Sequence, residues 1–144
     1  MLVTRKADYA IRSLLVLARA PDEPMSASEI GEKGQIPEFF VGKILHTLAR
    51  AGLVDSERGA RGGYRLARPA ESIHLLGILE AIQGEPVINT CAVASDRCSL
   101  SQGCPVHPVW VDLRREVEAR LRVMDLATLA RTHPVPAPPH PERS

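Results

Sequence analysis

Aromatic side chains are scarce. They make up only 3% of the 144 residues, as two Phe, two Tyr and one Trp. The core must therefore be built mostly from Leu, Ile, Val and Ala. No apolar run is long enough to span a membrane, and no secretory leader is recognisable, so a cytoplasmic protein is expected. No Ser/His/Asp arrangement and no pair of carboxylates in catalytic spacing is found, so no enzyme activity is expected. The glycines near residue 60 do not stand in the strand–GxGxxG–helix order of a dinucleotide site. A net charge of +1 does not by itself point to nucleic acid. The charge is unevenly spread, however. Residues 1–70 hold 11 Lys/Arg against 8 Asp/Glu, whereas residues 71–144 hold 7 against 9.

Cysteine is confined to one stretch, C-A-V-A-S-D-R-C-S-L-S-Q-G-C-P-V-H, residues 91–107. Its Ser, Gly and Pro predict a loop. Cys91, Cys98 and Cys104 on one short loop can converge on a point, and thiolates are the ligands that soft metals and iron–sulfur clusters prefer. His107 follows Cys104 by three residues and offers a nitrogen. No C-x2-C pair is present, so the common zinc patterns do not fit. The odd number of cysteines also argues for a reducing compartment.

The N-terminal half predicts three helices and a hairpin. Ile11, Leu14, Leu15 and Ala18 recur at helical spacing over residues 4–20, with Thr4 as N-cap. Arg5 and Lys6 stand at the start of this segment, where they can touch phosphate. Ser26 and Glu29 form a capping box for a short helix to about Lys33, broken by Gly34. A third helix begins at Pro37 as first helical residue. Its core face is Phe40, Ile44 and Leu48, flanked by Val41 and Leu45. Gly52 signals its end, with Leu53 folding back on Leu48. Two helices joined by a tight turn predict a helix-turn-helix. Glu38, Phe39 and Lys43 are then candidates for base contacts, with Ser28, Pro37, His46 and Arg50 also at the interface.

Residues 57–68, E-R-G-A-R-G-G-Y-R-L-A-R, read as a glycine-turned hairpin carrying Arg58, Arg61, Arg65 and Arg68. Such a hairpin directly after a helix-turn-helix is a wing, whose Arg tip can reach phosphate or a narrow minor groove. Ile73, Leu75, Leu76, Leu79 and Ile82 mark a further short helix, closed by Gly84. From Pro108 to about Val123 runs the longest helical segment. Trp110, Leu113, Val117, Leu121 and Met124 form a coiled-coil-like seam along it, which predicts a dimerisation helix. Residues 126–131 add one more turn. Thr132–Ser144 holds five of the twelve prolines and is expected to be disordered.

Three of these stretches together resemble the iron–sulfur winged-helix transcriptional regulator family that includes IscR and NsrR. They are L-V-T-R-K-A-D-Y-A-I-R at residues 2–12, A-G-L-V-D-S-E-R-G-A-R-G-G-Y-R-L at 51–66, and the cysteine loop with the P-V-H-P-V-W that closes it, ending at Trp110. The resemblance covers about residues 1–131. It implies a homodimer with two winged helix-turn-helix heads crossed by the long helix, and a cluster on the loop that controls operator binding. It assigns Cys91, Cys98 and Cys104 as cluster ligands. It leaves two candidates for a fourth. His107 goes with a 2Fe–2S cluster, and Asp8, donated by the other subunit, goes with a 4Fe–4S cluster. Asp8 is favoured, because a ligand there ties the cluster to the helix-turn-helix.

The expected protein is mainly α with a small β-wing. Residues 1–84 form the DNA-binding domain, 85–107 the cluster loop, 108–131 the dimerisation region and 132–144 the tail. The expected function is transcriptional regulation, as a repressor whose affinity for double-stranded DNA follows an iron–sulfur cluster that senses nitric oxide, iron or redox state. The alternatives are a zinc-bound or thiol-switch winged-helix regulator, or an iron–sulfur electron-transfer protein.

Overall fold

The computed structural model describes residues 3–93, 99–100 and 102–132. Helices α1 (Arg5–Arg19), α2 (Ala27–Gly34) and α3 (Glu38–Arg50) come first. Strands β1 (Val54–Glu57) and β2 (Gly63–Leu66) follow, then a single 3₁₀ turn at Ala70–Ser72. Helices α4 (Leu75–Gln83), α5 (Thr90–Val93), α6 (His107–Val123) and α7 (Leu126–Thr132) complete the described chain. The protein is mainly helical with one small antiparallel sheet, as expected. Among the described residues no helix is long and apolar enough to cross a membrane.

Local chemistry sets the helix ends. The Thr4 hydroxyl accepts from the Ala7 amide and the Ser26 hydroxyl from the Glu29 amide, so both predicted N-caps form. The amide of Leu53 donates to Leu48 and that of Gly52 to Ala49, at 3.0 and 3.1 Å. With Gly52 at φ 74°, this is the Schellman ending read from the sequence. Two boundaries differ from expectation. Gly34 does not break α2. It is the last helical residue, and a Cβ there would meet the Ile36 side chain at 3.1 Å. Gln35 makes the left-handed turn instead, at φ 53°, its amide donating to Glu32 and Gly31. Pro37 caps α3 from outside rather than opening it.

The core lies where α1, α2, α3 and α4 meet. Leu14, Leu17, Ile30, Ile44, Leu45, Leu48, Ile78 and Leu126 are essentially sealed from solvent. All are aliphatic, as the aromatic shortage requires. Phe40 does not belong to this core: it is 39% exposed, and Val41 takes the buried position beside Ile44. The apolar stripe on α3 is wider than the surface that covers it.

The wing pairs Val54 with Leu66 and Glu57 with Gly63. It is anchored to the head by a second bridge. The Met25 amide donates to Tyr64 at 2.9 Å and the Tyr64 amide to Met25 at 2.7 Å. At the far end of the chain, Leu75 donates to Met124 at 3.0 Å and Leu126 to Ile73 at 2.8 Å. The exit of α6 is thereby stitched to the entrance of α4. Leu126 then enters the core, and α7 lies against α1, where Arg19 Nε donates to the Ala130 carbonyl at 3.4 Å.

Candidate DNA interface and metal centre

The second helix of the helix-turn-helix, α3, buries Val41, Ile44, Leu45 and Leu48, and so turns Glu38, Phe39, Lys43, His46 and Arg50 to solvent. Ser28 in the first turn of α2 and Pro37 ahead of α3 are also exposed. Arg5, Lys6 and Lys43 line one cleft of about 290 Å³ between α1 and α3, floored by Tyr9, Phe40 and Ile44. Three cations thus gather beside the start of α3. Arg58 and Arg61 are exposed on the segment joining the two wing strands. Arg65 is the wing arginine with an ion-pair partner on its own hairpin. It is turned back across the hairpin to Glu57, Nε to Oε1 at 3.1 Å and Nη2 to Oε2 at 3.4 Å. Both partners are solvent-exposed, so the pair contributes little stability.

The aromatic residues at this face form a chain of contacts that sequence reading did not predict. Tyr9, buried on α1, meets Phe40 with ring centres 5.7 Å apart. Phe40 meets Phe39 edge to face at 5.1 Å. The Lys43 ammonium sits over the Phe39 ring at 4.1 Å. Only the last contact, one helical turn apart, was legible from spacing.

The cysteine stretch is not wholly irregular. Cys91 sits in the short helix α5, where the Ala92 amide donates to the Asn89 carbonyl at 3.0 Å. Its thiol is free and buried, and the Cys104 thiol is free and half-buried. Cys98 lies outside the described residues, as do the predicted disordered residues 133–144. Among the described residues no three Cys, His, Asp or Glu side chains converge on one point.

His107 is the first residue of α6, not its cap, and its amide donates to the Cys104 carbonyl at 3.2 Å. Its Nδ1 is buried and has no hydrogen-bond partner among the described residues. Buried polar atoms are nearly always satisfied, so this imidazole nitrogen is open to a water, a ligand or a metal. Thiolates are the soft donors that iron–sulfur centres take and imidazole also suits iron, but among the described residues these groups do not gather at one point. Asp8 is placed differently. Its carboxylate is half-exposed and ion-paired to Arg12 at 2.7 Å, one turn along α1.

Sequence reading missed Arg114. On α6 it reaches three acceptors: Glu118 Oε1 at 2.8 Å, the Ala92 carbonyl at 2.9 Å and Glu85 Oε2 at 3.5 Å. It fastens the helix carrying Cys91 to the long helix. The pairing with Glu118 follows from i,i+4 spacing. The contact with Ala92, 22 residues away, had no local signal. No residue of α6 is fully buried in the chain, and Val109 and Leu113 on it are 55% and 39% exposed.

Residues 3–132 match the family model described as Rrf2, iron-dependent transcriptional regulator. A protein of Synechocystis named as an HTH-type transcriptional regulator is 37% identical over 130 residues, covering 90% of this chain and 87% of its own. One of Haemophilus influenzae with the same kind of name is 32% identical, covering 90% and 86%. Among solved structures, CymR, the global cysteine regulator of B. subtilis, superposes with TM-score 0.75 at 25% identity over 90% of this chain and 96% of that one. IscR of T. potens superposes with TM-score 0.70 at 27% identity over 90% and 85%. The winged head and the match of nearly the whole chain lead to one conclusion: the protein belongs to the Rrf2 family of helix-turn-helix transcriptional regulators.

Proposed function

We propose that this regulator binds its operator as a homodimer and that an iron–sulfur cluster held by Cys91, Cys98, Cys104 and His107 sets its affinity. The observation that carries the proposal is the Nδ1 of His107, buried and without a hydrogen-bond partner among the described residues, on a residue whose amide donates to the Cys104 carbonyl. Asp8, favoured on sequence grounds, would have to give up Arg12 to serve as ligand. When bound, the cluster would supply a centre whose state responds to iron, oxidants or small ligands such as nitric oxide.

The chain's own residues supply the link to DNA. Arg114 holds α5 to α6, and the Leu75–Met124 and Leu126–Ile73 bonds hold the end of α6 to the head. A change in how α5 sits is then felt at the start of α4 and, through the core, at α3. The exposed Val109 and Leu113 give α6 an apolar strip for the second copy. A coupling of about 1–3 kcal/mol between cluster site and DNA would change affinity about 5–150-fold.

A thiol switch without metal is the second reading, favoured by the likeness to CymR and by two free thiols. Anaerobic reconstitution separates the two. The cluster reading requires iron and sulfide in equal amounts and visible absorbance, altered in His107→Ala and retained in Asp8→Ala. A colourless protein without iron would leave the thiol switch or a zinc site. Altered spectra in Asp8→Ala alone would return the fourth ligand to Asp8.

A further inference from the structure

The chain has two Phe residues, and neither is in its core. They stand side by side at the start of α3. Phe39 is 70% exposed, an unusual cost for a large apolar side chain. It is not loosely placed. Phe40 holds its edge, Tyr9 backs Phe40 from inside the head, and the Lys43 ammonium covers one of its faces. The ring therefore projects from the protein backed by Phe40 and Lys43, with its remaining edge and face free of those two contacts. The cations Arg5, Lys6 and Lys43 surround the adjoining cleft. They favour a polyanion as the partner of this surface over another apolar protein face.

We infer that Phe39 and Lys43 form one base-reading unit. Phe39 takes the 5-methyl group of a thymine in apolar contact, while Lys43 donates to O6 or N7 of a neighbouring guanine. In the major groove the thymine methyl is the one apolar mark that distinguishes a base pair, and Phe is among the side chains that contact it. Lys43 lies one turn after Phe39, so both side chains fall on the part of a recognition helix that reaches base edges. The inference rests on the reading that α3 enters the major groove.

The test uses the full-length protein and an operator obtained by selection from random duplexes. Each thymine of that operator is replaced in turn by uracil, which removes the methyl group and nothing else. At one thymine the wild type should lose about fourfold in affinity, the value of one buried methyl. Phe39→Ala should bind the thymine and uracil duplexes equally. Lys43→Met, which keeps the stem, should lose roughly tenfold in its preference for guanine at the neighbouring position. Phe39 is exposed, so Phe39→Ala should melt like the wild type. If no uracil exchange matters to the wild type, or if Phe39→Ala suffers the same loss, the inference is overturned. If selection enriches no site at all, the base-reading role of α3 fails first, and the inference falls with it.

Discussion

Replacing Arg114 by Ala removes a side chain that fastens the Cys91 helix to α6 through a backbone carbonyl. The Arg114 side chain is only 18% exposed, so solvent screens its bonds weakly. A charged donor to a carbonyl, here Ala92 at 2.9 Å, contributes about 1.5–3 kcal/mol. The Glu118 pair at 2.8 Å, also largely covered, adds a little. The Glu85 contact at 3.5 Å is mostly exposed and adds almost nothing. Docking of α5 on α6 should thus weaken by about 2–3 kcal/mol, which raises the undocked population about 30–150-fold. Peptide-resolved hydrogen exchange on the cluster-free protein measures this directly. Amides of residues 90–93 should exchange faster by that factor, while α1 and α3 keep wild-type protection. Arg114→Lys keeps the charge but not the planar fork, and should remain faster than wild type. Unchanged exchange at residues 90–93 would refute the reasoning. Equal acceleration in every helix would refute it too, because the effect would then be global.

Three further outcomes are expected. In Gly63→Ala the new Cβ would lie 2.6 Å from the Met25 carbonyl oxygen at φ 151°, a strain of about 1–3 kcal/mol. The melting temperature should fall by several degrees and DNA binding should weaken with it, whereas a wild-type melting temperature would mean the wing is not pinned at Met25. Leu113→Glu should give monomers in sedimentation, because a carboxylate would have to be desolvated in the interface, and a folded dimer would place that interface elsewhere. The third concerns acid stability. The Thr128 amide and hydroxyl both donate to Asp125 and hold its carboxyl below the ordinary 3.8. Its folded value lies below its unfolded one, so its contribution is present above pH ~4 and fades as pH falls through the folded value. Asp125→Asn should therefore melt lower than wild type at pH 7, with the gap closing as pH falls below the ordinary 3.8 and through the lower folded value. A gap that stays equal over that range would contradict this.

What could be read from the sequence was local. The hydroxyls of Thr4 and Ser26, the Gly52–Leu53 ending and the glycine hairpin each act within a few residues, and each formed as expected. Errors came where a distant surface decides. Phe40 lies on the apolar side of α3, but no element covers it, so it ends in a half-open cleft beside Tyr9. Gly34 looked like a breaker because glycine often is one. Its small size instead lets Ile36 pack close, and Gln35 carries the turn. Ser, Gly and Pro argued for an irregular cysteine stretch. All of its Ser and Gly fall after α5, and the turn holding Cys91 rests on α6. The sequence placed Asp8 and His107 side by side as candidate donors, whereas the Arg12 ion pair of Asp8 and the buried Nδ1 of His107 depend on packing that no local spacing encodes.

The central claim is that the cluster site and the DNA-binding head share one equilibrium. The direct measurement is operator affinity, by fluorescence anisotropy without oxygen, for one preparation before and after its iron and sulfide are removed. The two affinities should differ about 5–150-fold, with no difference once Cys91, Cys98 or Cys104 is replaced by Ser. Equal affinities for the loaded and stripped wild type would contradict it.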